Sequence, residues 1–422
     1  MNDREKRKPN PVADKVQAFY DNHPYPPPVT DLSQYRRLGR DLARLRADYH
    51  LLWPTMSYRG EQEILVAGCG TSQAAKVALK QPAAQVVGVD VSSTSLHHTE
   101  ELKRKYKLTN LEVQQLPIER VHELDRQFDQ IISTGVLHHL ADPEAGLSAL
   151  RAVLKPDGAL HMMVYATYGR IGITMLQDYC RRLGIGATES EIGALVAALK
   201  TLPRRHPLAY LLHEAVEFQR ADALADALLN PRERTYTVPE LSDFITGAGL
   251  TFGRWLRQAP YLPQCGDMGR TPHTAQLAAL PLPEQYAAVE LFRGTMTRHS
   301  VIVYRDNRPA DRQTIHFDDD GWWDYIPIRL PGTICVEERL PPGAAGVLIN
   351  QAHPFTDIYL PLNAAEKRLF GRIDGNRTIA KIAAGGAARK NDRQNRKQAR
   401  ELFQRLWWYD QVVFDASQQS NV

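Results

Sequence analysis

Several function classes are excluded by what this 422-residue chain has little of. It holds four cysteines, Cys69, Cys180, Cys265 and Cys335, scattered and with no Cys-x-x-Cys pair. A disulfide framework and a structural zinc site are therefore both disfavoured, and a reducing compartment, the cytoplasm, is expected. No run approaches the ~18 apolar residues of a membrane span, so no membrane partner is expected. Residues Met1 to Pro9 are polar and lack the apolar core of a secretory signal. An excess of charge is also missing: 52 basic residues stand against 48 acidic ones, a net +4, which by itself points to no nucleic acid. There is no internal repeat.

What is present begins at Ile64-Leu65-Val66-Ala67-Gly68-Cys69-Gly70-Thr71-Ser72, followed by Val86-Val87-Gly88-Val89-Asp90. An apolar run ends in a Gly-x-Gly turn, and a second apolar run ends in an acid twenty residues after Gly70. This arrangement suits a nucleoside lying across the carboxyl ends of two adjacent parallel strands. Gly68 and Gly70 allow close backbone approach, and Asp90 can accept hydrogen bonds from both ribose hydroxyls. A dinucleotide site wants a third glycine where Gln73 stands, and no Lys-Ser/Thr pair follows the turn as a P-loop would require.

Five blocks then carry a resemblance: Ala67 to Thr71, Val89 to Ser92, Leu116-Pro117-Ile118-Glu119, Phe128 to Leu140, and Leu154-Lys155-Pro156-Asp157-Gly158. In this order, over roughly residues 60 to 165, the chain resembles the class I S-adenosylmethionine-dependent methyltransferases. The resemblance implies S-adenosyl-L-methionine as cofactor. It places Gly68, Cys69 and Gly70 against the methionine moiety, Asp90 on the ribose, Val91 and Leu116 beside the adenine, and Thr134 and Gly135 near the transferring methyl group. An aromatic amino-terminal segment folds over the cofactor in many such proteins, making Tyr20 and Tyr25 lid candidates. Two departures stand out: Val66 replaces the usual acid two residues before the first glycine, and Ser72 stands where glycine is common.

His138, His139 and Tyr165 are the candidate catalytic residues, as bases or substrate contacts. The plainer reading of the His pair is a helix start with one ring packed inward. Tyr168 and Arg170 are further substrate candidates, or cap packing. Arg232, Arg234, Tyr236 and Thr237 either close the site or cap a helix before Pro239. Arg389 to Lys397 with Trp407-Trp408-Tyr409 is a basic cluster beside aromatics, read either as a nucleic-acid contact or as a solvated helix face over core aromatics.

The expected fold is α/β, a Rossmann-like seven-stranded methyltransferase sheet. Its strands fall at 63–67, 86–90, 111–115, 129–134, 159–165, 251–256 and 300–304. A helical insertion is expected over about 170–245, and a loop-rich stretch between the last two strands. An arm and lid occupy 1–60, the methyltransferase domain 61–307, and a small winged-helix-like α+β module 308–422, loosely similar to PqqD-type accessory modules. The expected activity is methyl transfer to a nitrogen or oxygen of an unknown acceptor, on a small molecule or a protein. Nucleic acid is the less favoured acceptor, and the carboxy-terminal module offers a possible partner contact. The alternatives are a non-catalytic scaffold or sensor on the same fold, an RNA methyltransferase and, more distantly, a nicotinamide oxidoreductase. No Asn/Asp-Pro-Pro-Tyr/Phe motif follows the fourth strand, which weakens methylation of base amino groups or of glutamine.

Overall fold

The computed structural model describes residues 11–22, 26–214, 220–308, 314–385 and 392–418. The chain opens with helices α1 (Pro11–Asn22), α2 (Ser33–Leu38) and α3 (Leu42–Leu52). An alternating run follows: β1 (Glu63–Ala67), α4 (Gln73–Lys80), β2 (Gln85–Asp90), α5 (Ser93–Tyr106), β3 (Leu111–Gln115), β4 (Phe128–Thr134), α6 (Pro143–Val153) and β5 (Leu154–Tyr165). Next come α7 (Ile171–Leu183), α8 (Glu189–Leu199), α9 (Pro207–Glu214), α10 (Ala221–Leu229) and α11 (Val238–Gly247). Strand β6 (Leu250–Trp255), α12 (Thr274–Ala279), α13 (Leu282–Arg293) and β7 (Arg298–Arg305) complete the main sheet.

Its order is β3-β2-β1-β4-β5-β7-β6. The first five strands run parallel, and β7 pairs antiparallel with both β5 and β6. Residues Ile64 to Ala67 are all buried, because helices cover both faces; the run is therefore continuously apolar rather than alternating. Helix α6 begins as its sequence dictates: the Asp142 side chain accepts from the Ala145 N–H, Pro143 occupies the first turn, and Leu147 and Leu150 are buried.

Three expectations need correction. Strand β5 starts at Leu154 rather than 159: its pairing steps from Phe128–Leu154 to Gln130–Ala159, so Lys155 to Gly158 bulge out opposite Asp129. The stretch read as loop-rich holds α12 and α13, the latter burying Tyr286, Val289 and Glu290. Helix α11 packs against β6, α13 and α6 rather than with the insertion. The remaining insertion helices share their own core, built on Ile173, Leu176, Leu195, Leu208 and Leu224.

Beyond the main sheet lie β8 (Ile326–Arg329), β9 (Thr333–Val336), β10 (Gly346–Asn350), β11 (Leu360–Leu362), α14 (Ala364–Gly371), α15 (Ile379–Ala384), α16 (Asp392–Trp408) and β12 (Val412–Asp415). The three helices and last strand match the sequence pattern. The antiparallel sheet β11-β10-β9 and the β8–β12 pair are additional. This part is seated on the rest by buried polar contacts. Asp410, fully buried, accepts from Arg254 at 3.2 Å and from the Ala259 N–H at 2.9 Å. Asp415 meets Arg46 at 3.2 Å and His50 at 3.3 Å, both on α3.

Candidate active site

The site is built where β1 and β2 end. The N–H groups of Gly68 and Cys69 both donate to the Val89 carbonyl, at 2.8 and 2.9 Å. Gly68 and Gly70 have φ of +74° and +53°. A Cβ on Gly68 would lie 2.4 Å from Val136 Cγ2, so glycine is required there for conformation and for space. Asp90 accepts from the Gly70 N–H at 2.8 Å through one oxygen and from the Ser92 N–H at 2.9 Å through the other. Burial raises its pKa, and the N–H donors partly offset that. Burial pushes the Cys69 thiol well above its ordinary value, which removes it as a nucleophile.

Beside this turn, Gln73 donates to the Thr134 hydroxyl at 2.8 Å. Residues Leu137 to His139 form a single 3-10 turn and both rings are buried. His139 sets its tautomer by donating from Nδ1 to the Arg232 carbonyl at 2.7 Å, since a carbonyl can only accept. Burial pushes its pKa down to about 4. His138 lies behind it, its ring centroid 4.0 Å from Tyr165 and 4.2 Å from His139. Neither nitrogen of His138 has a partner, and burial holds it neutral.

The amino-terminal helix and the insertion close the top. Asp21 on α1 accepts from the Ser92 hydroxyl at 2.7 Å. The Tyr20 hydroxyl donates to Asp226 on α10 at 3.2 Å and accepts from Asn230 at 2.9 Å. Arg170 makes a buried two-pronged ion pair with Glu233 and lies 3.5 Å over the Tyr165 ring.

These elements enclose a cavity of about 320 Å³. Gly68, Cys69, Gly70, Asp90, Val91, Leu116, Thr134, Gly135, His139, Tyr165 and Tyr20 all line it. His138 does not; it supports the wall from behind, as the inward-packed ring of the plainer reading. Tyr25 lies outside the described residues. Arg170 reaches the cavity, whereas Tyr168 stays exposed. None of the four residues from Arg232 to Thr237 singled out in the sequence lines it. Arg234 pairs with Glu144 at 2.7 Å, Tyr236 packs on Phe244, and Thr237 forms a capping box with Glu240.

Arg389, Lys390 and Asn391 also lie outside the described residues. On α16, Arg396 pairs with Asp320 at 2.8 Å and Trp407 packs into the core, which is the solvated-face reading. The sequence reading missed Asp226, Thr297 and Arg298 on the cavity wall. Asp226 was detectable as an acid set within the apolar run Ala223 to Leu229.

A methyltransferase domain family model matches residues 65–160. Residues 65–160 thus carry a methyltransferase domain. The cofactor that goes with such a domain is S-adenosylmethionine. Over 259 residues the chain is 34% identical to an uncharacterized protein of Synechococcus sp., spanning 58% of this chain and 60% of that one. It is 29% identical over 127 residues to a tRNA U34 carboxymethyltransferase of Saccharophagus degradans, of which it spans 39%. It thus covers less than two thirds of the length of either relative. In fold it is similar to PKMT2 from Rickettsia typhi, with a TM-score of 0.64, 16% identity, and coverage of 93% of this chain and 77% of that one.

Proposed function

We propose that this chain is an S-adenosylmethionine-dependent methyltransferase, with a nitrogen or oxygen acceptor on a small molecule or a protein. The observation that carries this is the cavity itself. It lies at the carboxyl ends of β1, β2, β4 and β5, with Gly68, Gly70, Asp90, Leu116 and Thr134 on its wall.

These residues fit the cofactor. Each Asp90 oxygen takes one backbone N–H and keeps acceptor capacity for a ribose hydroxyl. The two left-handed glycines leave a cradle that a Cβ at Gly68 would fill. Leu116, at the β3 end, offers an apolar surface to the adenine. When bound, the cofactor supplies an already activated methyl group, so the chain has to align and exclude water rather than generate a leaving group. Thr134 and Gly135 position the reacting end. Tyr20, with α1 and α10 behind it, excludes water. His139, neutral and with Nδ1 committed to Arg232, is left with Nε2 as an acceptor for a substrate proton. The free cysteines suit the cytoplasm as the working compartment.

A second reading, a sensor that binds the cofactor without chemistry, draws on Val66, which leaves the cofactor's amino group without the acid usual at that position. Calorimetric titration of S-adenosylmethionine and NADH, with Asp90→Ala alongside, tests the first reading. Micromolar binding of S-adenosylmethionine alone, lost in the variant, is expected. Absence of binding sinks both readings. Binding without methyl release across an acceptor screen with labelled donor favours the sensor.

A further inference from the structure

One buried charge without an ion-pair partner lines the cavity and is unused by the function proposed above. Asp226 is 5% exposed and lines the cavity with Ala223 and Ala227. It accepts from the Tyr20 hydroxyl at 3.2 Å and from the Asn230 side-chain amide, and neither donor carries a charge. Among the described residues no Lys, Arg or His lies within ion-pair distance of it. Arg170, which shares the cavity, is already committed to Glu233 through both carboxylate oxygens. A buried carboxylate without a cationic partner is costly, and burial pushes this one up to about 6. It is nevertheless still largely ionised at neutral pH. Such groups in a cavity are where ligand charge is received.

Its surroundings match a cation. The Tyr20 ring stands 6.3 Å from His139, and His139 stands 5.7 Å from Tyr165. An aromatic wall ending in a carboxylate suits a positively charged nitrogen. A neutral alcohol would leave the charge unanswered.

We infer that Asp226 binds an ammonium group inside the cavity. The inference rests on the methyltransferase reading of the site. Two sources share this chemistry: the nitrogen of an amine acceptor, and the α-ammonium of the cofactor, which meets Val66 instead of an acid. Position favours the acceptor, because Asp226 comes from the insertion and joins Tyr20, on the cover of the cavity, whereas the Gly68–Gly70 turn lies at the floor. A carboxylate there also holds the nitrogen while providing a place for the proton that an amine must shed before it reacts.

The test uses the full chain saturated with S-adenosylhomocysteine, titrated calorimetrically with n-pentylamine and with 1-pentanol, for wild type and Asp226→Asn. At least tenfold tighter binding of the amine is expected. That preference should vanish in the variant, with S-adenosylhomocysteine affinity unchanged. If the variant instead loses tenfold or more in S-adenosylhomocysteine affinity, the cofactor's own ammonium is the group held. Equal binding of amine and alcohol by wild type, with cofactor affinity unchanged in the variant, overturns the inference while leaving the methyltransferase reading intact. An amine preference that persists in the variant does the same. The wild-type comparison of amine with alcohol stands whether or not the variant folds. Failure of wild type to bind S-adenosylhomocysteine at all marks the failure of the underlying reading, and this inference falls with it.

Discussion

Asp90 and Gly70, twenty residues apart, are joined by a 2.8 Å hydrogen bond from the Gly70 N–H to the Asp90 carboxylate. The acid therefore holds the end of the glycine turn against β2 and still presents acceptor capacity to the cavity. Asp90→Ala should lose two charge-assisted bonds to ligand hydroxyls, each worth about 1.5–3 kcal/mol. Calorimetry should show cofactor affinity falling by about 100-fold or more. A change below threefold would remove Asp90 from the cofactor site.

Gly68→Ala puts a Cβ 2.4 Å from Val136 Cγ2 at a φ of +74°. The left-handed conformation alone costs roughly 1–2 kcal/mol for a residue with a Cβ. The melting temperature should drop and cofactor binding should be lost. Adding Val136→Ala removes the two closest contacts but leaves the Val136 Cβ at 3.0 Å and the backbone strain, so it should recover only part of the stability. Full recovery would show that sterics alone select glycine here.

Glu233 and Arg170 are 4% and 5% exposed in their side chains. Removing one partner of such a pair strands a buried charge and costs about 3–5 kcal/mol. Glu233→Ala should lose that much in urea denaturation. Replacing both partners, as Arg170→Met with Glu233→Leu, should cost distinctly less. Equal losses would mean that the pair contributes through packing alone.

Asp226 makes stability depend on pH with a definite sign. Its pKa is raised from 3.8 to about 6 by burial, so the native chain holds a proton that the unfolded chain releases. The stabilising contribution is full below about pH 4 and is lost as pH rises through 6. It amounts to at most about 3 kcal/mol. The groups facing it are Tyr20, Asn230, Arg170 and Glu233, and burial raises Glu233 in the same direction. Urea unfolding of wild type and Asp226→Asn at pH 4.5 and 7.5 isolates the group: the variant should gain stability relative to wild type at the higher pH. A pH-independent difference would contradict the raised pKa.

Tyr20→Phe removes the hydroxyl that links α1 to α10 through Asp226 and Asn230. The bond to the buried Asp226 carboxylate is charge-assisted and contributes about 1.5–3 kcal/mol. Stopped-flow measurement should show cofactor release speeding up by about tenfold or more, with a lower melting temperature. An unchanged release rate would mean that this contact does not keep the cavity closed.

The positions of the strands along the chain and the glycine turn at the floor of the cavity were legible in the amino-acid sequence because both are local. Continuous apolar runs mark strands buried on two faces. The turn at Gly68 to Gly70 and the acid at Asp90 lie at strand ends, where parallel α/β sheets present ligand groups. What only the tertiary structure decided is which residues meet across long separations. Tyr20 and Asp226 are 206 positions apart, and nothing in either segment specifies the other. The same holds for His138 and His139. Adjacent and chemically alike in the sequence, they are separated in role by packing, which puts one ring on the cavity wall and the other behind it. Helices α12 and α13 and strands β8 to β11 escaped the sequence reading for a related reason. They are proline-punctuated segments without a clear periodic pattern of their own, and α13 is fixed by the burial of Tyr286, Val289 and Glu290.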